Sequence, residues 1–172
     1  WVDNGPTVGV DVRMRSLRLT LRDATVRLQV WDAGGADAAQ PGLDSLYTGV
    51  HGVLVCYDSS NSASLDGVRP WLQTVDRYAP AGVCKVLVGT KEDGSPPTHA
   101  SYLEQAAIAA GRATSAAKAA PRRVRPADGV KHAKWHGLPH VSSSALEGAG
   151  VDEAFALLAE QMYEKREKQL AA

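Results

Sequence analysis

The chain has 172 residues, 44% hydrophobic and 22% charged, enough for one domain with a real core. Its 19 basic and 19 acidic side chains cancel, which argues against a general nucleic-acid binder. No apolar run reaches membrane-spanning length, no secretory signal opens the chain, and Cys56 and Cys84 sit in apolar runs as buried reduced thiols would, so a soluble, cytoplasmic protein is expected.

Taken in order, Val12 to Leu21 reads as a strand whose alternation changes phase near Ser16, which predicts a bulge or a change of partner. Arg22-Asp-Ala24 is turn material. Val26, Leu28 and Val30 then open a second alternating strand, so the two form a half-buried hairpin with its basic face in solvent. The stretch Leu28-Gln-Val-Trp-Asp-Ala-Gly-Gly35 runs a strand into a carboxylate and then two glycines. Such a turn presents an acid near a metal and brings backbone N–H groups up to a phosphate, an approach that glycine permits. Ala36 to Gly42 is small and polar, a mobile loop, with a short helix from Leu43 to Tyr47 behind it.

Gly52 to Asp58 is a continuous apolar run, the pattern of a strand covered on both faces. Ser59 to Ser62 is capping chemistry, and Leu65, Val68, Leu72 and Val75 follow at helical spacing, with Pro70 restricting where regular helix begins. Val83 to Gly89 is a second buried strand. Strand, helix, strand in this form means a parallel sheet with right-handed crossovers. Gly94-Ser-Pro-Pro97 breaks the pattern, Ser101 to Ala120 is Ala-rich and helical, and Pro121-Arg-Arg-Val-Arg-Pro126 is an extended basic connector read as a solvated linker. A short helix through Lys131 to His136, a brief strand from Leu138 to Ser142, and an amphipathic helix carrying Val151, Phe155, Leu158 and Met162 complete the chain, with a solvated charged tail from Glu164 to Lys168. His132 and His136 are spaced to share a helix face, but Gly137 and Pro139 break the helix before His140, and a metal site there is the weaker reading.

Four signals fall in a fixed order: Thr7 in Pro6-Thr-Val-Gly-Val-Asp11, Asp32 with Gly35, Thr90-Lys-Glu-Asp93, and Ser143-Ser-Ala-Leu146. The last two follow strands at their carboxyl ends, where α/β sheets place ligands.

With these motifs, together with Tyr47-Thr-Gly-Val-His-Gly52, Val55-Cys-Tyr-Asp58 and Trp71 to Tyr78, the chain resembles the Ras-like small GTPases, nearest the Rab branch. The resemblance covers residues 1–168 as a single domain, apart from an insertion over 94–128, and leaves 169–172 as a tail. The Gly34-Gly35 pair is similar to a divergent Rab branch linked to cilia. The fold implied is the three-layer α/β fold of P-loop NTPases with a mostly parallel sheet. The cofactors implied are GTP or GDP with Mg2+. Thr7 matches the residue that binds the metal and senses the γ-phosphate, Asp32 the acid that holds a metal-bound water, and Gly35 the N–H donor to the γ-phosphate. Lys91 matches the stem that packs along the guanine ring, and Thr90 precedes it where the Rab and Ras branches have Asn. Asp93 matches the carboxylate that accepts from the guanine edge. Ala145 matches the donor to the guanine carbonyl, in a loop braced by Ser144 and continued by Leu146.

The chain departs from the family in two ways. Ala36 stands in the position of the glutamine that orients the attacking water, and a methyl group cannot do so; hydrolysis is expected to be impaired. No Gly-x-x-x-x-Gly-Lys-Ser/Thr occurs, so the family's first strand, phosphate loop and first helix are absent from this sequence, which opens on Trp1 and is expected to be a truncated record of a longer parent. In the family that first strand lies between the strands ending at Asp32 and Asp58, so a chain without it is expected to be poorly stable alone. Two functions stay open. One is a GTP-dependent switch in vesicle or ciliary traffic, whose segments 5–12 and 33–47 are read with Trp31 by effectors and by exchange and activating proteins. The other is a pseudo-GTPase interaction module, with membership of a larger complex as a third option. The carboxyl end, Gln169-Leu-Ala-Ala172, lacks the cysteine of a prenyl anchor, so membrane contact would need an anchor outside this sequence.

Overall fold

A computed structural model describes residues 9–33, 44–94 and 122–171. The elements are β1 (Val10–Leu19), β2 (Ala24–Ala33), α1 (Asp44–Tyr47), β3 (Gly52–Asp58), α2 (Ser62–Asp66), α3 (Val68–Tyr78), β4 (Cys84–Thr90), α4 (Pro126–Trp135), β5 (His140–Ser142) and α5 (Val151–Leu170). The loop expected over 36–42 and the Ala-rich helix expected over 101–120 lie outside the described residues.

The apolar runs of β3 and β4 are what organise the domain. They pair in parallel from Gly52 opposite Cys84 to Asp58 opposite Thr90, and β5 joins β4 in parallel with Gly89 opposite Ser142. Because successive side chains of a strand point to opposite faces, each strand feeds two cores. On one face Val55, Tyr57 and Leu87 meet Leu65, Val68 and Leu72 of α2 and α3 and Ala133 of α4. On the other, Val86, Val88 and Val141 meet Ala154 and Leu158 of α5. Burying each Val or Leu contributes roughly 1.5–3 kcal/mol. The result is a parallel sheet between two helical layers, as expected. Cys56 departs from the expectation: its side chain is exposed, and Cys84 is half-buried.

The helix expected over Leu65 to Val75 is two. Asn61 caps α2 by accepting from Ala63 N at 3.1 Å, and the chain bends at Gly67 before α3, whose first turn takes Pro70. That is where proline's missing N–H does least harm. Helix α4 starts five residues earlier than the spacing suggested, with Pro126 at its first position and Arg125 extended before it. The stretch read as a charged tail continues α5 to Leu170.

Strands β1 and β2 form a separate antiparallel sheet with an unbroken register from Val10 opposite Ala33 to Leu19 opposite Ala24. Neither the bulge nor the change of partner expected near Ser16 is there. The phase change has a different cause: Val10, Val12 and Met14 point outward, beside Trp31 of β2, while Leu17 and Leu19 point inward. Nor is the basic side wholly in solvent. Arg15 pairs with Asp152 and lies 5.5 Å from the Phe155 ring; Arg22 pairs with Glu167 and lies 5.9 Å from Tyr163. The hairpin is thus hung on α5, and α5 is the element that ties it to the parallel sheet, since β2 and β3 do not pair.

Candidate functional site

The three parallel strands end side by side at Asp58, Thr90 and Ser142, and the segments leaving them are knotted together by hydrogen bonds. Ser59 N donates to Thr90 O at 2.9 Å, and Thr90 Oγ1 donates back to Tyr57 O at 2.9 Å. Ser143 N reaches Gly89 O at 2.7 Å, and Glu92 N reaches Ser143 O at 3.1 Å. Serine and threonine suit this work because short hydroxyl side chains satisfy backbone groups that the ending strands leave over.

Of the residues singled out by sequence, Thr90, Lys91, Asp93, Ser144, Ala145 and Leu146 are brought to this one edge. The Ser144 hydroxyl donates to Asp93 Oδ2 and accepts from Glu147 N at 3.1 Å, so a 2% exposed serine ties the two loops together. Among the described residues the exposed Ala145 N–H has no protein acceptor. Leu146 is 71% exposed in the same turn. Lys91 sits at φ 60°, in the left-handed region. Asp32 stands at the exposed end of β2 in the other sheet. Thr7, Gly35 and Ala36 lie outside the described residues.

Several residues here carried no role in the sequence. Asp58 receives Lys91 Nζ on Oδ2 at 2.8 Å and Ser60 N on Oδ1 at 2.8 Å. Burial alone would raise its carboxyl pKa, but Lys91 and Ser60 outweigh that and hold it below the usual value. Glu92 Oε1 accepts from Ser59 Oγ at 2.7 Å. Beneath it, Tyr57 OH meets His140 Nε2 at 2.9 Å, and burial with the Glu92 charge pushes the Tyr57 hydroxyl up to about 12. Burial lowers the His140 pKa, with Glu92 in partial opposition. Gly129 lies against this pair: a Cβ there would come within 2.9 Å of His140 Nε2, so the close packing of α4 requires glycine.

The basic connector is docked. Val124 is 4% exposed, its N–H donates to Ser59 O at 2.8 Å, and Arg123 Nη2 donates to Lys91 O at 3.1 Å and Glu92 O at 3.4 Å. The signal for this was present, a single valine among three arginines, and was masked by their charge. The His132 ring of α4 and the His136 ring at its C-cap lie 4.9 Å apart, tilted by 50°, while His140 turns to Tyr57 instead of joining them. Among the described residues no helix is long and apolar enough to cross a membrane.

Comparison with known proteins agrees with this layout. The model of the Ras family matches residues 2–164. GTP-binding protein YPT1 of Saccharomyces cerevisiae is 32% identical over 95% of this chain and 66% of its own length. Ras-related protein Rab-1 of Theileria parva is 29% identical over 92% of this chain and 61% of its own. Ras-related protein RABD1 of Arabidopsis thaliana is 30% identical over 96% of this chain and 68% of its own. The chain thus spans about two thirds or less of the first two relatives. With the family model covering nearly the whole chain and these relatives agreeing, the chain belongs to the Ras family, on its Rab-like side.

Proposed function

We propose that this chain carries the base-recognition half of a Rab-like, GTP-dependent switch acting in vesicle traffic, with ciliary traffic as the finer assignment favoured by Gly34-Gly35. The observation that carries the proposal is the Ser144–Asp93 tie beside Lys91. Asp93 would accept from two adjacent N–H groups of a guanine edge, an adenine offers no such pair, and the Ala145 N–H would meet the ring carbonyl. The lysine stem would cover one ring face. This donor and acceptor set fits the base of GTP or GDP. The phosphate and Mg2+ would fall to Thr7, Gly35 and Asp32. Bound Mg2+ would supply charge neutralisation at the phosphates. Ala36 has no group to orient water, so turnover would be slow even with GTP bound.

The hairpin supports a partner surface. Val10, Val12, Met14 and Trp31 are 36%, 41%, 54% and 51% exposed on one face, an apolar patch that soluble surfaces seldom leave bare. Effectors and exchange or activating proteins would dock there, and the same face serves the second reading, a pseudo-GTPase that binds partners without nucleotide. Fluorescence titration with a labelled GDP analogue in Mg2+ separates the two. Binding by this chain that is competed by GDP and not by ADP, and lost in Asp93→Ala, is the expected result. No binding by the unaltered chain would defeat the switch reading for it and leave the pseudo-GTPase.

A further inference from the structure

Lys91 has a Cβ and yet sits at φ 60°, a conformation that persists where the surroundings over-determine it. Two groups outside its turn do this. Arg123 grips the backbone through the Lys91 and Glu92 carbonyls at 3.1 and 3.4 Å. Asp58 grips the other end of the residue, taking Nζ on Oδ2 at 2.8 Å, with both side chains less than one third exposed. Asp58 is itself held, since Ser60 N and Oγ occupy Oδ1 at 2.8 and 2.5 Å and Asp58 N donates to Ser64 Oγ at 2.9 Å. The methylene stem between backbone and ammonium is therefore fixed at both ends.

We infer that Asp58 is a positioning residue for base recognition: by holding the Lys91 ammonium it lays the stem out as a ready-made apolar wall for a purine ring. This rests on the base-site reading above and goes beyond it, because Asp58 would touch no ring atom. A lysine side chain has much rotamer freedom, and ordering it in advance removes that cost from the binding step. Arg123 acts on the same turn from the connector that ends the insertion, so the segment following residue 121 helps hold the base turn.

The experiment is a double-mutant cycle read by titration of this chain with the labelled GDP analogue. Asp58→Asn keeps an acceptor for Ser60 and sets an amide where the charged oxygen met the ammonium. Lys91→Met keeps an unbranched apolar stem and removes the group that Asp58 holds. Each single change is expected to raise Kd about tenfold, and the double change no further than either alone. Additive losses, or an unchanged Kd in Asp58→Asn with the melting temperature retained, would overturn the inference. Should Asp58→Asn fail to fold, Lys91→Met decides: a tenfold loss supports the positioning role and an unchanged Kd removes it. If the unaltered chain does not bind the analogue, the base-site reading fails first and the inference falls with it, a result distinct from additive losses in a chain that binds.

Discussion

Gly150 offers the sharpest test of how the Ser143–Leu146 turn is held. It sits at φ 70° at the start of α5, and a Cβ there would lie 3.0 Å from the Ser142 carbonyl carbon and from Ser143 Cα, and closer still to Ser142 O. All three are backbone atoms at the end of β5, so no side chain can swing aside. Gly148 is the matched control, at φ 72° with nothing within 4 Å of the Cβ position. Placing alanine in the left-handed region costs about 1–2 kcal/mol at either site. Gly150→Ala adds a steric term of about 1–3 kcal/mol, because the β5 backbone must give way. For a chain of this size each kcal/mol lowers the melting temperature by about 2–4 °C. At the middle of that range, about 3 °C per kcal/mol, Gly148→Ala should lose about 3–6 °C and Gly150→Ala about 6–15 °C in parallel circular-dichroism melts. Displacing Ser142 and Ser143 also moves Ser144, so binding of the labelled GDP analogue should weaken in Gly150→Ala and hold in Gly148→Ala. Equal shifts for the two variants would refute the account, since they would show that conformation alone, and not the contact with β5, sets the cost.

The remaining predictions concern pH and local opening. Burial holds the His140 pKa below 6.5, so the unfolded chain takes up a proton first on acidification. Stability is then complete above about 6.5 and falls as pH drops from there toward the folded value. Asp58 is also lowered, and its contribution is present above the ordinary carboxylate value and lost as pH falls through the folded one. Urea midpoints measured from pH 8 to 3 should show both declines, with His140→Gln reducing the first, to which His132, also lowered by burial, contributes; a midpoint rising on acidification from pH 7 to 5 would contradict this. In hydrogen exchange, β4 amides, bonded on both sides, should be slowest. The hairpin hangs on α5 partly through Arg15–Asp152 and Arg22–Glu167, so raising salt to about 0.5 M should speed exchange in β1 and β2 and leave β4 unchanged. No salt effect would mean that the ion pairs contribute nothing to the docking.

The parallel core was legible because its signal is local and strong. A run such as Gly52 to Asp58 has only one stable surrounding, a sheet covered by helices, and its bounds were found to the residue. The loops that meet at the carboxyl ends followed from the same topology. What escaped the sequence depends on partners far along the chain. Arg15 read as solvent-facing and Arg22 as turn material until Asp152 and Glu167 arrive on a helix more than a hundred residues later. The phase change at Ser16 looked like a bulge because outward-facing Val12 and Met14 imitate a core stripe; an exposed apolar face and a shifted register are the same pattern in one dimension. Arg123 and Val124 read as linker since charge dominates any short window, while the burial of one valine is settled by where Ser59 lies. Asp58 was visible as a residue but not as a lysine's partner, because the left-handed turn that brings Lys91 to it leaves no mark in a lysine codon.

These contacts divide the candidate site into two mechanical halves. The proposed base half, Thr90 to Asp93 with Ser144 and Ala145, grows from strands packed on both faces and is cross-tied by Asp58, Glu92 and Ser143. Asp32, the one residue of the proposed phosphate side within the described segments, stands at the end of a hairpin whose link to the rest runs through α5 and is partly ionic. Exposed ion pairs hold weakly, typically below about 1 kcal/mol each, whereas a buried parallel strand opens only at close to the cost of global unfolding. The switch proposed above would keep hold of its base while one segment changes order with the terminal phosphate, and this asymmetry would suit it: a stiff support under the group that stays, and a loosely hung one under the group that changes. The exposed Val12, Met14 and Trp31 face lies on the loosely hung half. A partner that docks there would therefore sense the hairpin's position directly, without any movement being relayed through the core.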